Sequence, residues 1–115
     1  MSAGDRDNFS GDLELTAPTG GVTRGRAYVI NDGFAIARET ASAGDPYLGA
    51  VSGTVWVQKA TGTGKGFSVR EKVFVQSNLA DKTATGAVTP LGVAVRAAAA
   101  ADDKVLVELV ALGNE

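Results

Sequence analysis

The chain has no cysteine and no histidine among its 115 residues. The usual zinc sites are therefore excluded, as are cysteine nucleophiles and every histidine-based triad. The commonest general base is missing too. Carboxylate or Ser-Lys chemistry survives in principle, yet the thirteen acidic residues are scattered and form no paired motif. Neither sign of charge dominates. The net charge is −2 and no basic stripe or lysine block occurs, which argues against nucleic acid as a partner. No apolar run is long enough to span a membrane. The opening, "MSAGDRDNFSGD", is polar and lacks an apolar central segment. It does not read as a signal peptide, and synthesis in the cytoplasm is expected. Leucine and aromatics are sparse. No catalytic residue, metal ligand or cofactor site is assigned.

What is present is glycine, alanine and valine. Glycine alone accounts for 15 residues, against a usual share of about 7%. Such a chain favours turns and short strands over long helices. At this length a single domain is expected.

The most conspicuous glycine cluster lies in "QKATGTGKGFSV", residues 58–69. It invites comparison with a phosphate-binding loop, and the spacing fails. A Walker loop needs Gly, four residues, then Gly-Lys-Ser/Thr. Here Lys59 stands where the first glycine belongs, and Gly66 follows Lys65 where a hydroxyl is needed. The dinucleotide pattern fails at its third glycine, where Phe67 stands. No helix pattern follows to hold an anion. The stretch reads as a strand connection in which glycine supplies positive φ.

Along the chain, residues 1–11 carry little periodicity. They are a frayed terminus or an arm that orders on a partner, with Phe9 as its anchor. In "DLELTAP" Leu13 and Leu15 share one face, a half-buried strand signal. "PTGG" closes it. "RAYVIN" and "FAIARET", joined by Asp32-Gly33, predict a hairpin across residues 26–39. "ASAGDPY" (41–47) is a loop. "LGAVSGTVWVQK" (48–59) reads as one strand region, with a bulge or bend at Gly53. "EKVFVQS" (71–77) is another strand, and "NLADKTATGAV" is turn-rich. "LGVAVRAA" and "DKVLVELVAL" form the last pair. The alanines of "RAAAAADD" favour a helical turn, but so short a helix is marginal. The flanking valines favour a strand running into a loop. Short strands at regular spacing predict an all-β barrel or sandwich, over residues 12–115.

Two aromatics stand out. In "TVWVQK" Val55 and Val57 share a face, leaving Trp56 on the more polar side. "EKVFVQ" repeats this with Phe74. Both are candidates for an interface, unless covered within the monomer. Paired antiparallel, their strands would let the two rings stack. Arg38, Arg70 and Arg96 each close an apolar stretch and read as solvated strand ends.

Three stretches together resemble a known family. They are "TAPTGGVTRGRAYVI" (16–30), "GAVSGTVWVQKATGTG" (49–64) and "PLGVAVRAAAAADDKVLVEL" (90–109). The family comprises small phage and prophage proteins described as capsid cement or head-decoration proteins. The likeness spans about residues 12–110 and leaves the polar start aside. It implies a structural protein of the virion with no catalytic residues. Such proteins bind the outer surface of an expanded head, bridge major capsid protein subunits and commonly act as homotrimers. On that view Gly62, Gly64 and Gly66 let a strand connection reach outward. Phe9, Trp56 and Phe74 become the candidate interface residues. A carbohydrate-binding sandwich would instead use Trp56 with Tyr47 as a platform. A small hydrolase would use carboxylates such as Asp45 and Glu71.

Overall fold

A computed structural model describes residues 12–30, 33–82 and 89–109. Among the described residues there are nine strands and no helix. In chain order they are β1 (Asp12–Thr16), β2 (Ala27–Ile30), β3 (Gly33–Ala37), β4 (Pro46–Ala50), β5 (Gly53–Gln58), β6 (Lys72–Gln76), β7 (Leu79–Asp81), β8 (Thr89–Ala94) and β9 (Lys104–Leu109). The all-β expectation holds. Residues 1–11, including Phe9, lie outside the described residues.

The strands form two antiparallel sheets. One has the order β1-β4-β3-β2, the other β5-β9-β8-β6-β7. The larger sheet curls on itself into a half-barrel. Lys59, just after β5, bridges to Ala80 of β7, and the Ala60 N–H donates to the Ala80 carbonyl at 3.0 Å. The main core lies between the sheets. Phe34 and Ile36 from β3 meet Val57, Val73, Leu91 and Val105 of the half-barrel. A second, smaller cluster of Ala17, Val22, Ala37 and Tyr47 sits on the far side of the four-stranded sheet.

The hairpin expected across residues 26–39 is β2–β3, with Ala27 opposite Ile36 and Val29 opposite Phe34. Several boundaries differ from the sequence reading. The single strand region of residues 48–59 is two strands in two sheets. Gly53, at φ +89°, is the first residue of β5 and turns the chain from one sheet to the other. The loop of residues 41–47 ends sooner, because Pro46 and Tyr47 already belong to β4. Part of the turn-rich "NLAD" is β7. It is joined to β6 by Ser77 and Asn78, at φ 53° and 66°, the two-residue turn whose twist suits a hairpin. The alanine run forms no helix. Ala98 bridges to Phe67, and Asp102 closes the next turn, its carboxylate accepting from the Ala99 N–H at 2.9 Å.

The two sheets repeat one design. Leaving aside β7, β5-β9-β8-β6 follows the same path as β1-β4-β3-β2. Ala27 opposes Ile36 as Lys72 opposes Val93, and Tyr28 opposes Ala35 as Val73 opposes Gly92. Leu15 opposes Tyr47 as Val57 opposes Val105. Val22 and Ala41 exchange two backbone hydrogen bonds, as do Phe67 and Ala98. Close approaches correspond as well. A Cβ on Gly21 would press on the Ala41 carbonyl, and one on Gly66 on the Ala98 carbonyl.

The second copy departs from the first at a bulge. Val73 opposes Gly92 but Phe74 opposes Pro90, so Leu91 is the extra residue. The bulge turns Leu91 into the core, where it is fully buried. Gly92 makes this possible at φ +155°. A Cβ there would overlap the Glu108 carbonyl of β9. Gly92→Ala should therefore cost at least about 2 kcal/mol, the scale of combined backbone strain and overpacking. Urea denaturation measures this. A midpoint equal to the wild type would mean that β8 and β9 are not so closely apposed.

Candidate interaction surface

Strand alternation fixes which side chains leave the half-barrel. Val55 and Val57 point inward, at 8% and 0% exposure, so Trp56 between them points out and is 48% exposed. Leu106 of β9 lies directly opposite Trp56 in the ladder, and Lys104 lies opposite Gln58. The Lys104 ammonium sits 5.1 Å from the Trp56 ring centroid, a cation–π contact of about 0.5–1 kcal/mol at an exposed site. Val95, also exposed, donates its N–H to the Leu106 carbonyl at 2.8 Å. Trp56 thus stands on an apolar strip formed with Leu106 and Val95.

Grooves flank it on both sides. One of about 630 Å³ runs between the sheets past Arg24, Arg38 and Gln58. The other, about 550 Å³, is bordered by Arg96, Asp102 and Asp103. An aromatic centre with a mixed charged rim is the anatomy of a protein-binding patch. Arg38, in the wall of the first groove, meets the Asp12 carboxylate at 2.9 Å.

Phe74 shares the outer face of this sheet but is half-buried, opposite Asp81 and Pro90. It does not stack on Trp56. Strands β9 and β8 lie between β5 and β6, and three strand spacings amount to about 14 Å. The stacking expected from paired strands fails because these two strands are not neighbours.

The rival sites come apart. Tyr47 is 2% exposed and belongs to the other sheet, so it makes no platform with Trp56. Burial, and then the neighbouring Tyr28, raise its phenol above the usual range. Asp45 lies in a turn before β4, its N–H donating to the Ser42 carbonyl at 3.0 Å. Glu71 belongs to the other sheet's side of the molecule. Its carboxylate accepts from the Ser68 N–H at 2.8 Å and meets the Lys82 ammonium at 3.2 Å. The backbone hydrogen bond from Ser68, more than the Lys82 contacts, holds it below the ordinary carboxylate range.

The glycine-rich stretch is tied down by hydrogen bonds, while its tip at residues 61–64 stays exposed. The Gly62 N–H donates to the Ala100 carbonyl at 3.0 Å, and the Lys65 N–H to Gly62 at 3.1 Å. Phe67 enters the core. Lys65 pairs with the buried Asp81 carboxylate at 3.0 Å. Lys59, only 3% exposed, donates to the Ala60 and Ala100 carbonyls at 2.8 and 3.2 Å. Burial pushes its ammonium pKa down, against the pull of Asp102, Asp103 and Asp81. Both lysines are thus engaged in pinning this stretch across one end of the half-barrel.

One feature escaped sequence reasoning. A groove of about 710 Å³ opens on the four-stranded sheet, lined by Leu15, Arg26, Tyr28, Ile30 and Tyr47. The Tyr28 hydroxyl accepts from the Thr23 N–H at 2.6 Å. The shared face of Tyr28 and Ile30 was legible from alternation, but its openness was not.

A family model for phage cement proteins matches residues 9–109. The chain belongs to the phage cement protein family. No curated protein and no solved structure matches it. Membership supports a structural role for this cement protein in a phage capsid. The match begins at residue 9, so Phe9, Trp56 and Phe74 all fall within it.

Glu71 yields a pH signature. Its folded-state pKa is depressed, so its contribution is present above the unfolded value of about 4.3 and is lost as pH falls through the folded value. Glu71→Gln should lower the urea midpoint at neutral pH. The gap to the wild type should close as pH falls below about 4. A gap that persists at low pH would show that the carboxylate's charge is not what matters.

Proposed function

We propose that this cement protein binds the outer surface of an expanded phage head and bridges neighbouring major capsid protein subunits. It acts there as a homo-oligomer, with a trimer favoured, after synthesis in the host cytoplasm. The observation that carries this reading is Trp56. A large aromatic held 48% exposed on a sheet, beside Leu106 and Val95, is a contact awaiting a partner. Aromatic anchors of this kind dominate protein interfaces. Phe74 and Phe9 extend the contact, with residues 1–11 as an arm that orders on the shell.

The mechanism is multivalent. Each contact is modest, and lattice symmetry sets many of them in place together. Attachment is then lasting without any single tight site.

Purified protein mixed with expanded, undecorated shells should co-sediment saturably, at a fixed ratio to the major capsid protein. Trp56→Ala should weaken that binding by roughly thirtyfold, the scale of a hot-spot residue, while leaving the urea midpoint nearly unchanged. Equal loss of binding and stability would make Trp56 a folding residue. No binding by folded protein to shells of verified expansion would overturn the cement reading.

A further inference from the structure

The two sheets have four edge strands, β1 and β2 in the first, β5 and β7 in the half-barrel. An edge strand presents a row of unpaired N–H and C=O groups. Three of these edges are tied back to their own chain. In β2, Asn78 takes both the N–H and the carbonyl of Ala27, at 3.1 and 3.0 Å. In β5 the Gln58 N–H donates to the Gly25 carbonyl. The three-residue β7 receives the Ala60 N–H at Ala80.

β1 is the exception. The Ala17 N–H donates to Asp45 and its carbonyl accepts from Gly44, both on the β4 side. Alternation turns Leu13 and Leu15 the same way, opposite Gly49 and Tyr47. The main-chain groups of Asp12, Glu14 and Thr16 therefore point off the sheet. None of these groups has a partner among the described residues. Pairing with β4 is unbroken from Asp12 to Thr16, and no proline, lysine or bulge blunts the edge. Exposed leucines flank it on both faces. Leu13 is 42% exposed on one, and Leu48, opposite Glu14, is 45% exposed on the other.

Charge decides what this edge can take. Glu14 meets no cation among the described residues. Two β1 strands paired antiparallel about Glu14 would set one carboxylate against the other, and like charges directly opposite destabilise a sheet. A strand with a basic residue at that position gains instead. The edge also continues the surface around Trp56, since Asp12 holds Arg38 in the wall of the groove beside that ring.

We propose that β1 accepts an extended segment of the major capsid protein as an added strand, with a lysine or arginine opposite Glu14 and apolar side chains beside Leu13 and Leu15. Main-chain hydrogen bonds supply the attachment, and the alternation of basic and apolar residues supplies the selectivity. This rests on the shell binding proposed above.

Amide hydrogen exchange of the full chain, free and bound to expanded shells, is the test. In the free protein the Glu14 and Thr16 amides should exchange readily while those of Leu13 and Leu15 are protected. On the shells, Glu14 and Thr16 should become protected as well. Glu14→Pro removes one outward N–H and leaves the ladder with β4 intact. It and Glu14→Lys should each weaken co-sedimentation with shells at least about tenfold, with the urea midpoint of Glu14→Lys unchanged. If Glu14→Pro unfolds, Glu14→Lys and the exchange pattern decide. Protection of Glu14 and Thr16 already present in the dilute free chain would give the edge to residues 1–11 and overturn the proposal. Protection that grows with protein concentration in the absence of shells would give it to a second copy, with the same consequence. Glu14→Lys binding like the wild type would overturn the basic partner. Saturable shell binding with both amides still open would sink strand addition while sparing the cement role. A wild type that ignores expanded shells would overturn both.

Discussion

Everything in this fold depends on one sheet covering another. No helix is present among the described residues to shield an apolar face, so each sheet must find its cover in a second sheet. The half-barrel offers valines on its inner side, and β3 supplies Phe34 and Ile36 to close it. Alanines at 27, 50, 80, 94 and 98 keep the layers close. The seam is then fixed by hydrogen bonds to the segment just before and at the start of β2. The Gln58 N–H donates to the Gly25 carbonyl at 2.7 Å and its side-chain amide to Arg24 at 2.8 Å. Asn78 engages both the N–H and the carbonyl of Ala27. These bonds satisfy polar groups that the packed sheets would otherwise bury unpaired, and they set the angle at which Phe34 and Ile36 arrive.

That arrangement explains where the sequence was readable. Alternation is a local signal, and it placed Val55, Val57, Val73 and Val75 inside and Trp56 outside. The β2–β3 hairpin was readable because its two strands lie within a few residues of each other, although Gly33 of the expected turn dipeptide already opens β3 opposite Ile30. Strand partners further apart were not readable. Whether Trp56 meets Phe74 depends on β9 and β8 slipping between their strands, and no short window contains that fact. The break at Val51–Ser52 was hidden for a similar reason. A valine-rich stretch with one glycine looks the same whether it continues in one sheet or crosses to another.

The internal repeat was hidden more deeply. Corresponding positions hold Leu13 and Val55, Ala17 and Lys59, Tyr28 and Val73, Ala35 and Gly92. What persists is the hydrogen-bond pattern, down to the paired bonds of Val22 with Ala41 and Phe67 with Ala98. The side chains have diverged because their surroundings have. Tyr28 borders an open groove, so a large ring with a hydrogen-bonded hydroxyl suits it. Val73 is sealed between sheets, where a compact branched side chain packs better. The Leu91 bulge belongs to the same divergence, since it adds volume only where a second layer must be filled.

A cement protein benefits from this kind of construction. Contacts held on strands lose little conformational freedom when a partner arrives, so less of the interaction is spent on ordering. The connections are held down in the same way. Lys59 and Lys65 fasten the glycine-rich stretch, and Asp102 closes the alanine-rich one. Gly66 serves close approach between backbones, against Ala98, whereas Gly62 and Gly64 supply positive φ. Trp56 gains from the same rigidity. Its backbone lies in a ladder paired along its length with β9, and Lys104 holds one side of its ring. On the proposed function, a ring held in that way presents one geometry, as repeated attachment on a symmetric lattice would require of each copy.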